Sequence, residues 1–300
     1  MQNKVQFQSD GLTLSGILHV PDGVQERRPA IAVLHGFGGN KDGKTHAIEA
    51  VMYESWGYVV LRFDMRGCGE SEGERGHILC HDQVADTRNA VTWLAERPEV
   101  HADRIAISGQ SFGAAIAVYT AGIDERIAAT ISMGGWGNGL QKFRGQHPTP
   151  ETWARFAQML DEGRTYRAAH GKSLMVPRWD IVPIPEHLRA NLPPGSIMEF
   201  PAETAQSMCD FRAEDMVANI APRPLLLLHA ANDSVTPTEQ SIEMFKHAGR
   251  GAELIVLGGI DHFPFAEENS RIRDILKGWL NANFRLVGDQ RRSIDRVTRI

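Results

Sequence analysis

Ser111 stands at the centre of Gly109, Gln110, Ser111, Phe112 and Gly113, between the apolar run 104–108 and the small apolar residues 114–118. A hydroxyl lifted on a tight strand-to-helix bend stands clear of a sheet edge, but the bend strains the serine backbone and leaves no room for side chains two positions either side. Gly109 and Gly113 meet that demand. The chemistry open to such a serine is attack on an acyl carbonyl. At neutral pH a hydroxyl does this only with a base, an acid that orients the base, and donors for the developing oxyanion.

Each of these has a candidate. The buried-strand run 224–229 ends in a turn-rich stretch that carries Asp233, and the short strand pattern 252–257 is followed by glycines and then His262. The order Ser111, Asp233, His262 is the one this kind of bend calls for, and strand ends in a parallel sheet share one edge, so the three can converge there. Asp261 competes for the orienting role, but neighbouring side chains rarely point so that one reaches the other's ring nitrogen, and Asp233 is favoured. The apolar strand 29–34 breaks into a small-residue loop at 35–39, so the backbone N–H groups of Phe37 and Phe112 are the expected oxyanion donors.

The elements that must position these groups follow from the hydrophobic pattern. Alternation in 5–8 and 12–18 around Ser9, Asp10 and Gly11 signals an antiparallel hairpin. Strands at 29–34, 58–63, 104–108 and 127–133 then alternate with helices near 44–56, 82–96 and 112–121, which predicts parallel strands with helices on both faces. After Gly134 and Gly135 the rhythm stops until Leu225, across a stretch rich in aromatic residues and prolines. The expected organisation is a first core part at 1–135, a mainly helical cap insertion at 136–222, a second core part at 223–284 and an Arg-rich tail at 285–300. Most cap aromatics are expected to pack within the cap. Trp136, which directly follows a strand end, is the one expected to touch substrate.

With 300 residues and 42% hydrophobic content, a substantial core is within reach. A net charge of −5 gives no reason to expect nucleic acid or an anionic membrane as partner, and no apolar run is long enough to span a bilayer, so the cytoplasm is the expected location. Cys68, Cys80 and Cys209 are odd in number and lack C-x-x-C spacing, which fits free thiols. His77 and His81 lie one helical turn apart but have no third ligand in view, and Gly67 to Glu70 lacks the ending of a phosphate loop. Asp64 and Arg66 are expected to hold a loop by ion pairing.

On the residues 35–39, 64–71, 109–113, 232–237 and 258–262, the chain resembles the serine hydrolases of the α/β-hydrolase superfamily, over about residues 4–284. Within them it is similar to cinnamoyl and feruloyl esterases and to dienelactone-hydrolase-like and serine-aminopeptidase-like groups. Gln110 and Phe112 depart from many such esterases, where His and Gln are frequent. The resemblance implies the α/β-hydrolase fold, an eight-stranded, mostly parallel sheet with an inserted cap. It further implies an enzyme that cleaves a small-molecule carboxylic ester, with a bulky or aromatic acyl group favoured, through an acyl-enzyme on Ser111. No metal or organic cofactor is implied, and a homo-oligomer is compatible. Amide, peptide or thioester cleavage by the same residues is the alternative, and a non-catalytic ligand sensor on this fold is a third.

Overall fold

The computed structural model describes residues 1–23, 26–266 and 270–286. The hairpin is β1 (Gln2–Ser9) and β2 (Leu12–His19), turned by Asp10 and Gly11, both at positive φ (48° and 83°). That geometry is the primed turn whose twist suits two antiparallel strands. The strands β3 (Arg28–Leu34), β4 (Val59–Phe63), β5 (Val100–Gln110) and β6 (Ile127–Met133) follow, with β9 (Leu225–Ala230) and β10 (Ala252–Leu257) later in the chain. They join the hairpin in one eight-stranded sheet of order β1-β2-β4-β3-β5-β6-β9-β10. β2 pairs antiparallel with β1 and β4, and the remaining neighbours are parallel. The central strands are buried on both faces, which is why they read as unbroken apolar runs rather than as alternation.

Helices cover both faces. α1 (Lys44–Ser55) and α9 (Ser270–Asn283) bury Ala50, Tyr53, Leu276 and Trp279 in the core of one face. α2 (Cys80–Ala95), α3 (Phe112–Ile123) and α8 (Glu239–His247) lie over the other, where Val84, Val91, Ile116 and Met244 share the larger core. β5 begins four residues earlier than the apolar pattern suggests, because buried Val100 pairs with Arg28 through the backbone ahead of the exposed residues 102 and 103.

Between β6 and β9 the chain leaves the main sheet. It builds α4 (Gly139–Gln146), α5 (Pro150–His170), β7 (Met175–Pro177), α6 (Arg178–Ile181), β8 (Glu199–Pro201) and α7 (Ala202–Asp210), with short 3₁₀ turns. α5 opens on a reciprocal cap between Thr149 and Thr152 with Pro150 in its first turn, and closes on Gly171 in the left-handed conformation. The pattern gives no sign of the β7–β8 ribbon, whose strands of three residues are too short for a period of two to register. Its inward residues, Val176 and Phe200, join the larger core.

Asp64 and Arg66 fix the loop after β4, each through other partners. Asp64 accepts from Lys41 Nζ at 3.0 Å and from the Glu70 amide at 2.9 Å, while Arg66 pairs with Asp86 at 2.6 Å and Asp10 at 2.8 Å. Cys68, Cys80 and Cys209 are buried and unbridged. The ring of His81 meets the edges of Tyr119 and Phe211. No described helix is long and apolar enough to cross a membrane. Beyond residue 286 the expected Arg-rich tail lies outside the described residues.

Candidate active site

Ser111 is the residue between β5 and α3, at φ 55° and ψ −114°. A non-glycine residue held there carries backbone strain, which the packed surroundings must enforce. They do so through two glycines. A Cβ on Gly109 would lie 2.2 Å from the Gly113 carbonyl oxygen, and one on Gly113 would lie 2.5 Å from that of Leu34. The Ser111 amide donates to the Met133 carbonyl at 2.8 Å, tying the bend to the end of β6.

The loop after β10 brings His262 over this hydroxyl, with Nε2 2.8 Å from Ser111 Oγ. Its Nδ1 lies 2.8 and 3.0 Å from the two carboxylate oxygens of Asp233, on the loop after β9. Asp261 turns elsewhere and accepts from the amide and hydroxyl of Ser234. Asp233 is almost fully enclosed. Its Oδ1 accepts the amides of Val235 at 2.8 Å and Thr236 at 2.7 Å, and its Oδ2 lies 3.3 Å from His229 Nε2. That nitrogen also faces the Thr236 carbonyl at 3.0 Å, so it carries the proton, and Nδ1 of His229 accepts from Ser241. Burial pushes the Asp233 carboxyl up, but the His262 imidazole and the bond from His229 outweigh it and hold the group well below the usual carboxylate range. An ionised carboxylate facing Nδ1 makes that nitrogen the donor and leaves Nε2 free to take a proton from the hydroxyl.

The cavity beside Ser111 is walled by Gly36, Phe37, Gln110 and His262 from the core and by Arg178 and Ile184 from the insert, among others. Phe37 lies on the loop after β3, and Phe112 is the first residue of α3, where helix N–H groups lack intrahelical acceptors. Among the described residues neither amide meets a protein acceptor. The Phe112 ring is buried against Trp136 at 5.8 Å, off the cavity wall.

Trp136 corrects an expectation. It is 1% exposed and does not line the cavity. Gly134, at φ 65°, and Gly135, where a Cβ would come within 2.8 Å of Ala114, turn the chain down against α3 and carry the indole into the core. Lys142 Nζ lies 4.7 Å from its ring.

Three groups near the site escape the sequence patterns. Glu49 of α1 is fully buried and accepts from Ser108 Oγ and Gln110 Nε2, on either side of Gly109. Burial raises its carboxyl to about 7, against the lowering effect of bonds from Ser108, Gln110 and Tyr53. His46, one turn earlier, reaches the cavity wall, and burial pulls its imidazole down to about 3. Arg178 comes from the proline-rich insert. The one signal any of them leaves is a charged or polar residue on an otherwise apolar face, which spacing alone cannot pair with a partner.

A hydroxyl, an imidazole and a carboxylate in this arrangement can move a proton off the hydroxyl, and amides at the bend can hold negative charge on a bound carbonyl. The polyketide transferase grgF of a Penicillium species is 28% identical over 276 residues, covering 88% of this chain and 90% of that protein. A crystal structure of the α/β hydrolase GrgF from Penicillium sp. sh18 superposes with a TM-score of 0.77 at 24% identity, over 94% of this chain and 99% of that one. Est1E from Butyrivibrio proteoclasticus with ferulic acid bound superposes with a TM-score of 0.69 at 18% identity, over 93% and 98%. The family model described as X-Pro dipeptidyl-peptidase (S15 family) matches residues 10–264. That match takes in every strand of the sheet except β1 and all three groups at the rim, and the chain belongs to the S15 family of α/β-hydrolase-fold hydrolases.

Proposed function

We propose that the protein is a serine esterase that cleaves a carboxylic ester of a small molecule through an acyl-enzyme. Ser111 Oγ attacks the acyl carbonyl while His262 Nε2 takes its proton. Asp233 holds the imidazole tautomer and stabilises the imidazolium, and the amides of Phe37 and Phe112 hold the oxyanion. His262 then returns the proton to the leaving alcohol, and water, deprotonated by the same imidazole, releases the acid. The observation that carries this is the unbroken line of contacts from Ser111 through His262 to Asp233, with the strained backbone at Ser111. Ferulic acid in the structural neighbour Est1E supports a bulky or aromatic acyl group. Ser111→Ala is expected to lower turnover of a p-nitrophenyl ester by about 10⁶-fold. Turnover at the parent rate would end the proposal.

The family's description supports a second reading, cleavage of an amide or peptide bond by the same groups. The name of the Penicillium relative favours transfer of the acyl group to an acceptor other than water. Ester, anilide and thioester forms of one acyl group, each tested with and without added nucleophile, separate these readings. A folded protein that a fluorophosphonate fails to label would favour a sensor instead.

A further inference from the structure

The insert reaches the loop that carries Phe37 through one buried cation. Arg178 is 2% exposed, and among the described residues no carboxylate pairs with it. One terminal nitrogen, Nη2, donates to the Phe37 carbonyl, and Nη1 donates to the Ile197 carbonyl at 2.8 Å. The guanidinium lies 5.2 Å from the Phe37 ring and 5.8 Å from the Phe200 ring, and those two rings stack at 4.2 Å. The Ile197 amide closes the clamp by donating to the Gly38 carbonyl at 3.0 Å. Successive carbonyls of the loop are thus both held by the insert.

The loop needs such a clamp. Gly36, Gly38 and Gly39 give it wide backbone freedom, and Gly38 sits at φ 55°. A Cβ there would fall 2.5 Å from the Phe200 ring and 3.0 Å from Arg178 Nη1, so the insert lies directly on the peptide plane. Burying a guanidinium without a counter-charge is costly, and burial pulls this one down to about 10. Charge-assisted bonds to two carbonyls and contact with ring faces are the offset that the fold supplies.

We propose that Arg178 is a positioning residue for the oxyanion pocket: it holds the Phe37 carbonyl and, through Ile197, the Gly38 carbonyl, whose peptide carries the Gly39 N–H that donates to the Gly36 carbonyl at 3.0 Å, so that the Gly36–Phe37 peptide keeps the direction of the Phe37 amide and acyl transfer requires the insert to be seated on the loop. The proposal rests on the assignment of the Phe37 amide as an oxyanion donor. A donor aimed at the transition-state oxygen contributes more there than to ground-state binding, and a misplacement of about 1 Å can cost about 10²-fold in rate.

The test uses full-length Arg178→Met and Arg178→Lys with p-nitrophenyl butyrate. It adds a trifluoromethyl ketone, whose hemiketal oxygen occupies the oxyanion position, and thermal melting to report folding. Arg178→Met is expected to lose about 10²-fold in kcat and in ketone affinity together, with KM within about threefold. Arg178→Lys should lose about tenfold, because an ammonium on a flexible stem lacks the planar fork whose two terminal nitrogens reach two separate carbonyls in fixed directions. A folded variant that melts lower but keeps the parent kcat and ketone affinity would show packing alone and overturn the proposal. If Arg178→Met does not fold, Arg178→Lys decides by the same criterion. A parent enzyme that fluorophosphonate labels at Ser111, beside variants with unaltered kinetics, sinks this inference only. A parent enzyme that is not labelled sinks the acyl-enzyme as well.

Discussion

At the scale of single residues, Asp233 decides what His262 can do. Its Oδ1 accepts two amides and lies 3.0 Å from His262 Nδ1, while Oδ2 faces His229 and lies nearer to His262, at 2.8 Å. In Asp233→Asn the carboxamide oxygen keeps the two amides and its NH₂ meets Nδ1 of His262. That nitrogen must then accept, the proton moves to Nε2, and the base facing Ser111 is lost. A fall in kcat of up to about 10⁴-fold is expected, with KM near the parent value. Steady-state kinetics on a p-nitrophenyl ester measure it, and a loss below tenfold would mean that the imidazole tautomer is set by something else.

At the scale of elements, α1 and β5 are joined through Glu49 beneath the bend that presents Ser111. The Glu49 carboxyl titrates near 7 in the folded protein, against 4.5 for an ordinary glutamate, so the native state keeps a proton that the unfolded chain releases. Stability then falls as pH rises from about 4.5 to about 7 and levels off above that range. Glu49→Gln, a neutral isostere, removes this pH dependence. The parent protein should therefore lose stability relative to Glu49→Gln between pH 5 and pH 8, as read from denaturant midpoints at both values. Parallel profiles would place the Glu49 charge elsewhere on the pH scale.

At the scale of the whole molecule, the sheet edge brings the hydroxyl, imidazole and carboxylate together, and the insert walls part of the cavity beside them. Val182, Ile184 and Leu192 from the insert form an apolar part of the cavity wall. Ile184→Ala is expected to shift preference toward longer or bulkier acyl groups, by about tenfold in relative kcat/KM across a series of p-nitrophenyl esters. An unchanged profile would move acyl selection away from this wall. Trp136, buried beside Phe112, packs the insert on α3 and does not line this wall.

The sequence by itself determined the alternating strands and helices, the bend at Ser111 and the order of Ser111, Asp233 and His262. These are local: two glycines bracket a strained residue, and apolar runs mark strands buried on both faces. Residues at the ends of parallel strands share an edge whatever lies between them, so their meeting was legible as well. Only the tertiary structure decided that Glu49 lies under the bend, that Arg178 reaches the Phe37 carbonyl and that Trp136 turns inward. Each depends on a contact between segments distant in the chain, or on the direction in which a glycine pair turns the backbone. The pattern of residue types along a chain carries neither quantity.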